Sequence, residues 1–333
     1  MLDMASIGRG GARMAAPRWP RAAVALPLHH RITASPHHRI TASPPRHRRN
    51  TVATAVPRRK QNDMSFSTDT PAFTLHRGTR PLLVSMPHVG TYLPASVSGR
   101  LTAEARTVPD TDWHLARLYD FARELGASIL VATHSRYVVD LNRPPDNANL
   151  YPGQDTTGLC PVDTFDKTPV YADGSLPADD EIAARRDAVW RPYHAALAEE
   201  LARLRAAHGT IALWDAHSIR SVLPRFFEGK LTDFNLGTAN GASCDAALAD
   251  QLLDIASAVP DHTAILNGRF KGGYITRQYG APAQGVHAVQ LELTQCAYMS
   301  EVYPFAYDEA RATRIQPALR AMLETVLGFV EAR

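Results

Sequence analysis

The sequence predicts an α/β protein in which a mixed central sheet is flanked by helices. Two observations carry this. From Phe73 onward, short apolar runs alternate with segments of helical periodicity. Hydrophobic residues make up 45% of the chain and charged residues 21%, a balance that builds a real core. No run of about 18 apolar residues occurs, so no segment is expected to span a membrane.

Strands are expected at Pro81–Ser85, Ser128–Ala132, Tyr137–Leu141, Thr210–Asp215, Ala264–Leu266 and Ala288–Leu293. Helices are expected at Trp113–Leu125, Asp179–Ala207, Ser243–Ala256 and Asp308–Ala332. Within the longest, Val189, Tyr193, Leu197, Leu201 and Leu204 recur at spacings of four and three and form one apolar stripe. Pro192 falls in that stripe and predicts a kink or break. The stretch from Asn142 to Thr168 is long and polar, as binding loops and lids are. No linker interrupts residues 70–333, so residues 64–333 are expected to form a single catalytic domain.

Residues 1–63 have a different composition. They hold twelve Lys and Arg against two acids and carry +10, whereas the remainder, with 24 basic and 31 acidic side chains, carries −7. The octad His29–Pro36 recurs at once as His37–Pro44. So much charge and so little apolar surface cannot offset ordering entropy, and disorder is expected. A transit peptide, a nucleic-acid-binding arm and a loose metal site are weaker readings of this tail than an extension placed ahead of a natural start at Met64. Because the basicity belongs to the tail, the pI near 8.8 does not argue for a nucleic-acid partner. Cys160, Cys244 and Cys296 fit no zinc or CxxC spacing, so free thiols in a cytoplasmic protein are expected.

Five segments carry chemistry. In Ser85-Met86-Pro87-His88-Val89-Gly90-Thr91 an apolar strand runs into a turn that places His88 beyond a strand's carboxyl end, where open α/β sheets bind ligands. Asp110-Thr111-Asp112-Trp113-His114 puts two acids before a helix; one suffices as an N-cap, and the other is open to a metal. Asp140-Leu141-Asn142-Arg143-Pro144 offers an Asn-Arg pair suited to a carboxylate, or to a structural ion pair. Trp214-Asp215-Ala216-His217-Ser218 repeats the context of His88, and two strand-end imidazoles suit zinc and similar ions. In Val289-Gln290-Leu291-Glu292-Leu293, alternation separates the three apolar residues from Gln290 and Glu292. A mid-strand Glu among apolar neighbours is costly unless it is paired or catalytic, and burial raises its pKa towards that of a general base.

Two glycine-rich segments follow other logic. Asn267–Arg277 surrounds Gly272-Gly273 with Arg269, Lys271 and Arg277, which suits an anionic substrate. Asp233–Ser243 lacks the Lys-Ser/Thr ending of a phosphate loop and reads as a turn with an N-cap.

Taken in order over about residues 70–330, these segments resemble the N-formylglutamate deformylase family. The resemblance implies hydrolysis of N-formyl-L-glutamate to formate and L-glutamate in histidine degradation. It implies a fold like the zinc carboxypeptidases and aspartoacylase (phosphorylase/hydrolase-like) and a divalent metal ion, zinc in those relatives. It makes His88 and His217 metal ligands, Asn142 and Arg143 binders of a substrate carboxylate with Arg269 or Arg277 for the second, and Glu292 the base. The relatives' His-x-x-Glu places a ligand where this chain has Thr91, so the third ligand is expected to be Asp112, with Asp110 in reserve. Another N-acyl amino acid amidohydrolase, a carboxypeptidase-like enzyme and a non-catalytic anion-binding protein are the alternatives. The partner expected is a small-molecule substrate, with neither nucleic acid nor membrane.

Overall fold

The structure, a computed structural model, describes residues 66–150 and 153–333. The basic tail, its octads and Met64 lie outside the described residues. Among the described residues, seven strands form one sheet: β1 (Phe73–His76), β2 (Leu82–Met86), β3 (Ser128–Ala132), β4 (Ile211–Ile219), β5 (Phe234–Gly237), β6 (Ala264–Leu266) and β7 (Val286–Thr294). Their order is β1-β3-β2-β4-β7-β5-β6. The four central strands are mutually parallel, and β1 and β5 join antiparallel, so the sheet is mixed as expected.

Helices cover both faces. The longer ones are α3 (Asp179–Arg185), α4 (Arg191–His208), α5 (Ala246–Ser257) and α7 (Glu309–Glu331); α1 (Ala95–Ser98), α2 (Leu115–Leu118) and α6 (Tyr274–Tyr279) are short. Strand alternation divides the core in two. Leu82, Val84, Ala212, Trp214, Val289 and Leu291 pack against α5 and α7. Leu83, Ile211, Leu213 and Ala288 pack on the opposite side against Val189, Tyr193, Leu197, Leu201 and Leu204, the stripe read from sequence. Each fully buried Leu contributes about 1.5–3 kcal/mol. Among the described residues, no helix is long and apolar enough to cross a membrane.

Several elements differ from expectation. Tyr137–Leu141 is a buried series of turns rather than a strand. Its apolar run fills core space, and periodicity alone cannot assign so short a run. Trp113–Leu125 is broken: α2 is followed by a separate single turn at Asp120–Ala122. Phe234–Gly237 is a buried strand, not a turn. Pro192 breaks nothing, because a π-turn at Arg186–Trp190 precedes it and α4 continues directly from there. The wider turn accommodates the missing N–H. At α5 the N-cap is Asp245, whose carboxylate accepts the Ala247 N–H.

On the α4 side of the sheet the apolar rows give way to polar ones towards the carboxyl ends. Ser85 pairs with Asp215, Asp215 with Gln290, and His217 with Glu292. Side chains two apart share a face, so Asp215 and His217 on β4, and Gln290 and Glu292 on β7, rise from the same surface.

Candidate active site

His88 lies two residues beyond β2, in a turn closed by the Asp112 N–H donating to the His88 carbonyl at 3.0 Å. That bond brings the Asp110–Asp112 segment to the strand ends. His217 sits inside β4, which runs four residues further than expected. The two rings are tilted by 60° with centroids 4.8 Å apart. Asp112 Oδ2 faces Nδ1 of both, at 3.1 Å from His217 and 3.8 Å from His88. Among the described residues, His88, Asp112 and His217 are the one buried group whose ligand atoms all lie within 4.8 Å of one another.

Carboxylates stand behind the rings. His88 Nε2 meets Asp140 Oδ1 at 2.7 Å, and Asp140 Oδ2 accepts from Arg136 Nη2 at 2.7 Å. His217 Nε2 is 3.2 Å from Asp215 Oδ2, and Asp215 Oδ1 accepts from Ser85 Oγ at 3.2 Å. A carboxylate on the far nitrogen fixes the tautomer and leaves the other nitrogen for an ion. Two imidazoles and a carboxylate held this way fit a borderline divalent cation.

Burial lowers the pKa of His88, with Arg136 adding to it. For His217 burial acts the same way, but Asp215 and Asp112 outweigh it and hold the ring well above its usual value. Burial alone would raise Asp140; the charges of His88, Arg136 and Arg143 instead hold it well below the carboxylate range. Burial pushes Glu292 up to about 8, since only part of that cost is offset by His217 and Arg136.

Asp110 does not join the group. Its Oδ2 accepts from Tyr137 Oη at 2.6 Å and from the Phe165 N–H at 2.8 Å, which ties the long polar loop to the body. Burial raises its pKa to about 6 against those bonds.

The group opens into a cleft whose wall includes His88, His217, Asn142, Arg143, Arg269 and Glu292. Arg143 is held by Thr157, its Nε donating to the carbonyl at 2.9 Å. Arg269 donates to the Phe226 carbonyl at 2.6 Å. Asn142 is as much scaffold as wall: its Oδ1 accepts the Ile275 N–H at 2.8 Å, and its Nδ2 lies 3.1 Å from His217 Nε2. A Cβ on Gly273 would stand 2.3 Å from that Nδ2, which accounts for the glycine.

One residue expected to bind substrate lies outside the cleft wall. Arg277 is exposed on α6, donates to the Gly272 carbonyl at 2.9 Å and is absent from the cleft wall. Its place on α6 folds its side chain back onto the Gly272 carbonyl instead of into the cleft wall. The cation missed by sequence reading is Arg136, which is buried and in the wall. Its position four residues before Asp140, in a segment read as leading into a strand, concealed the pairing. Asp155, Phe165, Phe226 and Phe270 were also not singled out, and as loop residues they carry no periodic signal.

Two histidines and a carboxylate gathered at strand ends, beside a buried acid in a cleft bearing arginines, define a candidate metallohydrolase centre on an α/β sheet. A family model for N-formylglutamate amidohydrolase matches residues 80–299. The N-formylglutamate deformylase of Pseudomonas aeruginosa is 56% identical over 259 residues, covering 77% of this chain and 96% of that protein. The Pseudomonas putida enzyme of the same name is 51% identical over 256 residues, with coverage of 77% and 96%. The crystal structure of N-formylglutamate amidohydrolase from Ralstonia eutropha JMP134 matches with a TM-score of 0.68 at 28% identity, over 79% of this chain and 99% of that one. An Agrobacterium tumefaciens gene product shares the fold, with a TM-score of 0.60 at 20% identity over 79% and 97%. The chain belongs to the N-formylglutamate amidohydrolase family.

Proposed function

We propose that the chain hydrolyses N-formyl-L-glutamate to formate and L-glutamate, as a metal-dependent step of histidine degradation. The observation that carries this is the placement of Glu292 beside His217 on adjacent strands, with Asp112 and His88 closing the group from the other side. A divalent ion held by His88, His217 and Asp112, zinc by its donor set, would supply Lewis-acid polarisation of the formyl carbonyl and an acidified water.

The chain's own groups account for the rest. Glu292, with its raised pKa, takes the proton from the attacking water and returns it to the leaving amine nitrogen. Arg143 and Arg269 meet the two carboxylates of the substrate, each offering planar donors. Asn142 ties the cleft floor to the Gly273–Ile275 backbone. Phe165, Phe226 and Phe270 give the cleft an apolar wall that limits water.

Formate release from N-formylglutamate, measured before and after chelation, tests the reading. Activity should vanish with the metal and return with a divalent ion; full turnover after metal removal defeats the metal role. Faster release from N-acetyl or peptidyl substrates would instead assign a different amidohydrolase specificity. Accumulation of N-formylglutamate in histidine-fed cells that lack the gene tests the pathway.

A further inference from the structure

Gln290 is buried on β7, two residues before Glu292 and on the same face. Its Oε1 accepts the Gly273 N–H at 2.7 Å, and its Nε2 donates to Glu292 Oε2 at 3.0 Å. The first bond fixes the second. A backbone N–H can only donate, so the amide oxygen must face Gly273 and the amide nitrogen must face Glu292. Asn142 packs against Gly273 where a Cβ would be, so this backbone N–H is presented from a closely packed stretch. Asn142 in turn accepts the Ile275 N–H. Among the described residues, no other hydrogen bond reaches the Glu292 carboxylate.

We propose that Gln290 is a positioning residue that occupies Glu292 Oε2, so that Oε1 alone exchanges the proton with water and leaving amine. This rests on the reading of Glu292 as the proton acceptor. A carboxylate without such a donor can rotate about its last bond and present either oxygen. A single donor anchored to the backbone removes that freedom. It also couples the base to the Gly273 stretch of the cleft wall, so base and bound substrate keep one spacing. A misplacement of about 1 Å in such a group costs on the order of a hundredfold in rate.

The test compares Gln290→Met, which keeps the volume but loses both bonds, with Glu292→Gln and the double variant. Gln290→Met should lower kcat about tenfold to a hundredfold with KM within about twofold. In the Glu292→Gln background the same change should have almost no further effect on residual kcat, because groups acting through one another are not additive. A purely structural role would reduce kcat by the same factor in both backgrounds and would overturn the proposal. So would wild-type kcat in Gln290→Met, or a loss confined to KM. Near-normal turnover by Glu292→Gln alone would defeat the base assignment, whereas an inactive Glu292→Gln with a fully active Gln290→Met defeats only the positioning role. If thermal melts show Gln290→Met to be unfolded, Gln290→Asn takes its place. Its amide is one methylene too short to span both partners, and the same loss of kcat at unchanged KM is expected.

Discussion

Asp112 is fastened to the strand that carries His217: its Oδ2 lies 3.1 Å from the ring Nδ1 and accepts the Ser218 N–H at 3.2 Å. The third member of the candidate metal group is thus registered to β4 by a backbone bond, while Asp110, two residues earlier, is committed to Tyr137 and Phe165. The two acids should separate cleanly. Asp112→Ala should purify with little bound metal and release no formate. Asp110→Ala should keep its metal but lose about 1–3 kcal/mol of stability, because two buried donors are left unpaired. Metal analysis and urea denaturation of the two variants check both outcomes.

Asp140 acts behind His88, bridging it to Arg136. Asp140→Asn should weaken metal binding about tenfold to a hundredfold, the usual effect of losing a carboxylate behind a ligating histidine. Competition against a chromophoric chelator measures this without reference to activity. An unchanged affinity would remove Asp140 from the ligand support.

The arginines give a graded result. Arg143→Met and Arg269→Met should each reduce kcat/KM about tenfold to a hundredfold, mainly through KM, given about 1.5–3 kcal/mol for a hydrogen bond to a charged group. Arg277→Met should behave as wild type, since that side chain is exposed and outside the cleft wall. Steady-state kinetics on the three variants would show whether the second carboxylate site has been assigned to the right residue.

Acid should destabilise the fold partly through His194. Burial pushes its pKa down to about 4, against the Leu141 carbonyl and Asp215. Its Nε2 donates to that carbonyl at 2.8 Å, and its Nδ1 accepts from Tyr279 Oη at 2.9 Å, so the neutral ring satisfies both. The unfolded value is about 6.5. Between the two values the unfolded chain binds the extra proton, so stability is intact above about 6.5 and falls as pH drops towards 4. The loss from this group between pH 6.5 and 5 is about 2 kcal/mol. His134, also lowered to about 4 by burial, adds in the same direction. Urea midpoints at pH 7 and pH 5 should therefore differ less in His194→Gln than in wild type; equal differences would exclude His194 as a source.

The sheet was legible where hydrophobic runs were long enough to be unambiguous. Strands β2, β3, β4, β6 and β7 stand near their expected places, and the α4 stripe is buried as its spacing requires. Edge strand β1 has four residues, three half-buried and one exposed, with no strong alternation, and β5 ends in a glycine that reads as a turn. Of the candidate site, His88, His217 and Glu292 could be placed because each lies on or just after a strand, whose period of two fixes a face. Asp110 and Asp112 could not be told apart on that basis, since the segment between them and His88 is irregular and only the bond from the Asp112 N–H to the His88 carbonyl decides. Arg136 depends on the turns at Tyr137–Leu141, which have no sequence period, and its identity as a wall residue emerges only from the fold.

Strands β2, β4 and β7 run parallel and carry the ionisable groups at or just beyond their carboxyl ends, while the amino ends of β4 and β7 meet at Gly209 and Gly285 on the opposite rim. Ile211 donates to the Gly285 carbonyl there at 2.8 Å, and that rim holds none of the cleft residues. Among the described residues, the sheet thus has a chemical pole and an inert pole. Surface immobilisation, fluorophores or fusion partners attached at the inert pole would leave the reacting end facing solvent.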